Sequence, residues 1–107
     1  MRLIVDTGMH AMQWSRDKAI DTMVAETGRD RGAVTSEIDR YCASPGQACG
    51  YKIGHNAILA ERERAKTALG AKWDVRDFND ALVETGGVPL AALPGVVDRM
   101  IARVQAA

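Results

Sequence analysis

Apolar residues recur along this chain at helical spacing, and nowhere do they alternate convincingly with polar ones. Ala19, Ile20, Met23 and Val24 repeat at intervals of three and four behind Ser15, a good helix cap, and Gly28 is placed to end the segment. Asp30 caps a second segment, where Val34, Ile38, Tyr41 and Cys42 fall at i, i+4, i+7 and i+8 and form one stripe. Asp74 precedes a third, with Asp77 at the N3 position and Val75, Phe78 and Leu82 on one face; Thr85-Gly86-Gly87 closes it. Pro94 suits the start of a last helix carrying Val97, Met100, Ile101 and Val104. Leu3-Ile4-Val5 is too short a run for periodicity to assign. These spacings predict an all-α protein, a bundle-like arrangement of five or six helices joined by short loops.

The longest predicted helix runs from Pro45 to about Leu69 and ends at Gly70. Ser44 is a capping residue, Pro45 fits the first helical position, and Gln47 falls three residues after Ser44, the spacing of a capping box. The first half, Ala48, Cys49, Gly50, Ile53, Gly54, Ala57 and Ile58, is apolar or small on almost every side, which predicts burial. Gly50 and Gly54, four apart, predict close approach of another backbone, at some cost in helix propensity. The second half, Glu61-Arg62-Glu63-Arg64-Ala65-Lys66, reads as a solvated face with i,i+3 and i,i+4 ion pairs. Tyr51 follows Gln47 by one turn, where its phenol is placed to meet a ligand.

The chain has 107 residues, a length that suits one helical domain over 1–107, and 47% of them are hydrophobic, enough for a packed core. Lys plus Arg and Asp plus Glu number 14 each. A formal charge of zero offers no long-range attraction for nucleic acid or an anionic membrane, and little protection against self-association. Arg29, Arg31 and Arg40 are interleaved with acids and make no basic stripe. No charged-then-apolar leader or long apolar run occurs, so no signal peptide or membrane span is expected in this piece. Cys42 and Cys49 read as two small buried thiols, and Trp14 and Trp73 as core or cover.

Candidate chemistry is sparse. Leu3-Ile4-Val5-Asp6-Thr7-Gly8 has the look of the catalytic strand end of a dimeric aspartic peptidase, but that fold is nearly all strand and this chain reads as helix. Asp6 and Thr7 are therefore expected to make local hydrogen bonds. Zinc needs several ligands converging on one point, and the chain has only His10 and His55, with no H-E-x-x-H. No metal site is expected in it. Gly86-Gly87 lacks the Lys-Ser/Thr that would follow in a phosphate-binding loop.

Several segments, in order, carry a resemblance. They are Arg2-Leu3-Ile4-Val5-Asp6-Thr7-Gly8-Met9-His10, Trp14-Ser15, Asp39-Arg40-Tyr41, Pro45-Gly46-Gln47-Ala48 and Tyr51-Lys52-Ile53-Gly54, with weaker matches at Ala68-Leu69-Gly70, Phe78-Asn79-Asp80 and Val88-Pro89-Leu90. Together they resemble the C-terminal end of a bacterial family catalogued as domain of unknown function eight-eight-five, itself similar to zinc metallopeptidases of the gluzincin type. The resemblance implies a large, mainly helical protein whose zinc motif lies upstream of these residues. It implies that this chain is the C-terminal part, contributing cleft residues, without a zinc site, and inactive alone. By analogy His10 and Tyr51 are transition-state donors, and Arg2 and Lys52 bind a substrate carboxylate, while Gln47 caps its helix. It also implies that Asp6 lies in a helix as a structural carboxylate. Zinc is implied for the full-length family only. The partners expected are the remainder of the parent enzyme, or self-association through apolar helix faces, and a peptide substrate. The competing reading is a stand-alone helical interaction module without catalysis.

Overall fold

Six α-helices and three short 3₁₀ turns make up the computed structural model, which describes residues 1–107. The helices are α1 (Arg2–Ala11), α2 (Arg16–Thr27), α3 (Arg31–Ala43), α4 (Gly50–Leu69), α5 (Val75–Thr85) and α6 (Leu93–Ala106). The protein is all-α, as its periodicity predicts, and no helix is long and apolar enough to cross a membrane.

The caps predicted at Ser15, Asp30 and Asp74 are formed. Ser15 Oγ accepts from the Lys18 N–H at 3.1 Å, Asp30 Oδ2 from Ala33 at 3.0 Å and Asp74 Oδ1 from Arg76 at 2.9 Å. Each satisfies a donor the helix start leaves orphaned, worth about 1 kcal/mol. The run Leu3-Ile4-Val5, which periodicity left unassigned, lies in α1, where Val5 is fully buried. Gly8 is required there for space: a Cβ would sit 2.5 Å from Cδ2 and Cε3 of Trp14. Lys18 covers that indole, its Nζ 4.4 Å from the ring centroid. With Asp6-Thr7-Gly8 inside a helix, the aspartic-peptidase resemblance is gone.

The contacts group into two compact units, Met1–Ile53 and Gly54–Ala107. In the first, α1 packs on α2 and on the turn Gln47–Cys49, and α2 packs on α3. Its core contains Val5, Ile20, Met23, Val34, Ile38 and Tyr41. In the second, α5 packs on α6, and the core contains Leu69, Phe78, Leu93, Val97, Met100 and Ile101. Burial of each large side chain contributes about 1.5–3 kcal/mol before chain entropy is subtracted. The charged half of α4 is as expected on its outer face, with Arg64 3 residues from its partner Glu61 at 2.6 Å; Ala65 alone turns into the core.

Three expectations are corrected. The Ser44–Gln47 capping box is not formed, and the long helix starts at Gly50 instead of Pro45. Ser44 closes α3, its N–H bonded to the carbonyls of Arg40 and Tyr41 at 3.2 and 3.3 Å. Gly46 then takes φ +80°, a left-handed conformation that no helix continues, and its N–H goes to Asp6. Second, the apolar first half of α4 is exposed, with Tyr51 63%, Ile53 49% and Ile58 39% accessible. Nothing lies within 4 Å of a Cβ built on Gly50 or Gly54, so no backbone approaches there. Third, Cys42 is exposed, 3.8 Å from the Met9 sulfur, and Cys49 is half-buried.

Candidate ligand cavity at the start of α1

Asp6 determines where the segment after α3 runs. Its carboxylate is 3% exposed, and its two oxygens accept the Gly46 N–H at 3.0 and 3.3 Å. That bond folds residues 44–49 back onto α1 and seats Ala48, 1% exposed, in the core. Tyr51 and Lys52 follow on the first turn of α4. They line a cavity of about 310 Å³ with Arg2, whose apolar surroundings come from Met1, Leu3, Ile4 and Ala48.

Arg2 stacks on Tyr51, its guanidinium carbon 5.0 Å from the ring centroid, and its Nη2 lies 3.4 Å from Glu37 Oε2. The same Glu37 oxygen accepts from Arg40 Nη2 at 3.1 Å and from the Tyr41 hydroxyl at 2.8 Å. Arg40 Nη1 donates in turn to Gln47 Oε1 at 2.8 Å. A continuous polar chain therefore runs from Arg2 through Glu37 and Arg40 to Gln47. Two guanidinium ions meet one carboxylate in it. Arg2 and Lys52 place two cationic side chains beside an apolar lining, which suits a ligand with a carboxylate next to an apolar group.

The Tyr41 hydroxyl, the Arg40 hydrogen bond and the nearby Arg40 and Arg2 charges hold the Glu37 carboxyl below its ordinary value of 4.5. Burial, reinforced by the Glu37 hydrogen bond, pushes the Tyr41 phenol up. A carboxyl depressed in the folded state contributes stability that is present above its unfolded pKa and is lost as pH falls through its folded one. Acidification from about pH 6 to about pH 3 is expected to lower Tm more in the native chain than in Glu37→Gln, which keeps an acceptor but does not titrate. Thermal melts across that range check it; parallel acid limbs in the two proteins would refute it.

Arg2, Tyr51 and Lys52 are thus brought together, and His10 is not among the residues around their cavity. His10 lies eight residues further along α1, a rise of roughly 12 Å. Its Nε2 is 3.0 Å from the Tyr41 carbonyl oxygen, so that nitrogen carries the proton and ties α1 to the end of α3. Gln47 is a link in the polar chain and not a helix cap. Glu37 and Arg40 were missed as site residues in the sequence. Their mutual spacing, and that of Glu37 and Tyr41 at i,i+4, was a readable signal; the reach of Arg2 across 35 residues was not. Burial first, and then the Asp6 charge, pushes the Cys49 thiol up, the reverse of what a nucleophilic cysteine requires.

The zinc implied by resemblance finds no ligand set here. No group of three or more His, Cys, Asp or Glu side chains is placed to hold a metal ion. The residues present do not fit the metal.

No curated protein matches the chain. Among solved structures it is similar to the putative lipoprotein from Colwellia psychrerythraea, at 45% sequence identity and a TM-score of 0.92. That similarity covers 95% of this chain and 17% of the other, so the chain spans about a sixth of that protein's length. Residues 1–97 match the family described as bacterial protein of unknown function (DUF885). With most of its length matched, the chain belongs to that family.

Proposed function

We propose that this chain is the helical, C-terminal part of a larger metallopeptidase-like protein, and that its cavity at the start of α1 binds the carboxylate end of a peptide. One observation carries the reading: Arg2, Tyr51 and Lys52 share a cavity with an apolar lining. Arg2 and Lys52 take the carboxylate, and the apolar lining takes the adjoining side chain. The Tyr51 O–H is a donor for a carbonyl oxygen on the bound peptide. The His10 N–H holds two helices together. Resemblance to zinc metallopeptidases supports the hydrolase class, and the 17% coverage of a longer homologue supports a larger parent. On this reading the chain alone is inactive, the zinc ligands belonging to the rest of the parent protein.

The test is a titration followed by NMR. N-acetyl-leucine is expected to bind with a Kd on the order of 1 mM, and the uncharged N-acetyl-leucinamide about tenfold more weakly. Arg2→Ala is expected to lose a similar factor for the acid and nothing for the amide. Equal affinity for acid and amide in the native chain would sink the reading. Zinc-dependent hydrolysis of small peptides by the purified chain would overturn its inactivity.

A further inference from the structure

Tyr51 lines two hollows. The second, shallower one has a volume of about 220 Å³ and is lined by Gln47, Gly50 and Tyr51. One polar residue of each is tied to the same carboxylate, Arg2 directly and Gln47 through Arg40. The Arg40 donor occupies Gln47 Oε1, which fixes the orientation of the amide and leaves Nε2 as its donor. Gly50 lies in the lining of the second hollow, and a Cβ there would project into open space, with nothing within 4 Å. The backbone of Gly50 is not the reason for the glycine, since φ −58° and ψ −37° are ordinary helical values open to any residue.

We infer that the two hollows are consecutive subsites for one extended peptide, and that Gly50 keeps the second open. This rests on the carboxylate-binding reading above and extends it to the residue before the C-terminal one. The terminal apolar residue occupies the cavity of Arg2 and Lys52. The preceding residue crosses Tyr51 into the second hollow, where Gln47 Nε2 donates to its carbonyl. The ligand class is therefore a peptide of at least two residues with a free carboxyl end.

Comparison of N-acetyl-leucine with N-acetyl-alanyl-leucine tests this. The longer ligand is expected to bind the native chain about five- to tenfold more tightly. Gly50→Leu fills the second hollow, and replacing a helical glycine raises helix propensity, so folding is preserved. It is expected to abolish the gain from the added residue and leave N-acetyl-leucine affinity unchanged. A native chain that binds N-acetyl-leucine and gains nothing from the longer ligand overturns this inference alone. So does a Gly50→Leu chain in which the gain persists. A native chain that binds neither ligand overturns the carboxylate reading with it.

Discussion

Phe78→Ala is expected to remove about 3–5 kcal/mol of stability, the largest single loss in this protein. Phe78 is 1% exposed and belongs to the α5–α6 core with Leu69, Leu93, Val97 and Met100. Its ring centroid lies 6.0 Å from that of Trp73, tilted by 49°, an arrangement that adds to area burial. Truncation removes the ring and leaves a cavity that helices fixed by backbone hydrogen bonds collapse into only in part. Urea denaturation followed by circular dichroism measures the loss. A cost below about 1 kcal/mol would mean that the core is not built around this ring.

The second large effect is expected at Asp6, where Asp6→Ala costs about 1–3 kcal/mol and also weakens the ligand cavity. Removal of the carboxylate leaves the Gly46 N–H without its protein acceptor at a part-buried position. The Gly46 bond holds the turn that seats Ala48 and sets the start of α4, so Tyr51 and Lys52 lose their placement against Arg2. Asp6→Asn retains an oxygen acceptor at the same reach and is expected to recover most of the stability and the N-acetyl-leucine binding. An alanine variant as stable as the native chain, with binding intact, would show that Asp6 does not position the segment.

Four helices were legible because their determinants are local. Ser15, Asp30 and Asp74 bond to N–H groups two or three residues away, and the apolar stripes of α2, α3, α5 and α6 follow the helical repeat. α1 was not assigned from spacing, since its apolar run is short and its close contact with Trp14 involves Gly8, a residue without a hydropathy signal. The start of α4 was misread for a related reason. Ser44, Pro45 and Gln47 have the right spacing for a capped helix, but the competing acceptor for Gly46 is Asp6, 40 residues distant. The bond to the Asp6 carboxylate prevails over the local preference, because a cap contributes about as much as one hydrogen bond and the turn also buries Ala48.

The site divides along the same line. Residue types and their resemblance to a family pointed to Arg2, Tyr51 and Lys52, and the fold places all three on one cavity. Resemblance also paired His10 with Tyr51, and His10 is not among the residues that line the Tyr51 cavity. Glu37 meets Arg40 and Tyr41 within α3, and joins Arg2 only once α1 lies against the other helices of its unit. By itself, the order of residues determined an all-α protein, most of its helix boundaries and the cationic and phenolic groups available to a ligand. Those follow from hydrogen bonds and periodicities within a few residues. Tertiary structure alone decided that α4 begins at Gly50, that its apolar start is exposed, and that one carboxylate orders the polar groups around Tyr51. Each of these depends on contacts between residues tens of positions apart, where packing and buried hydrogen bonds outweigh local propensity.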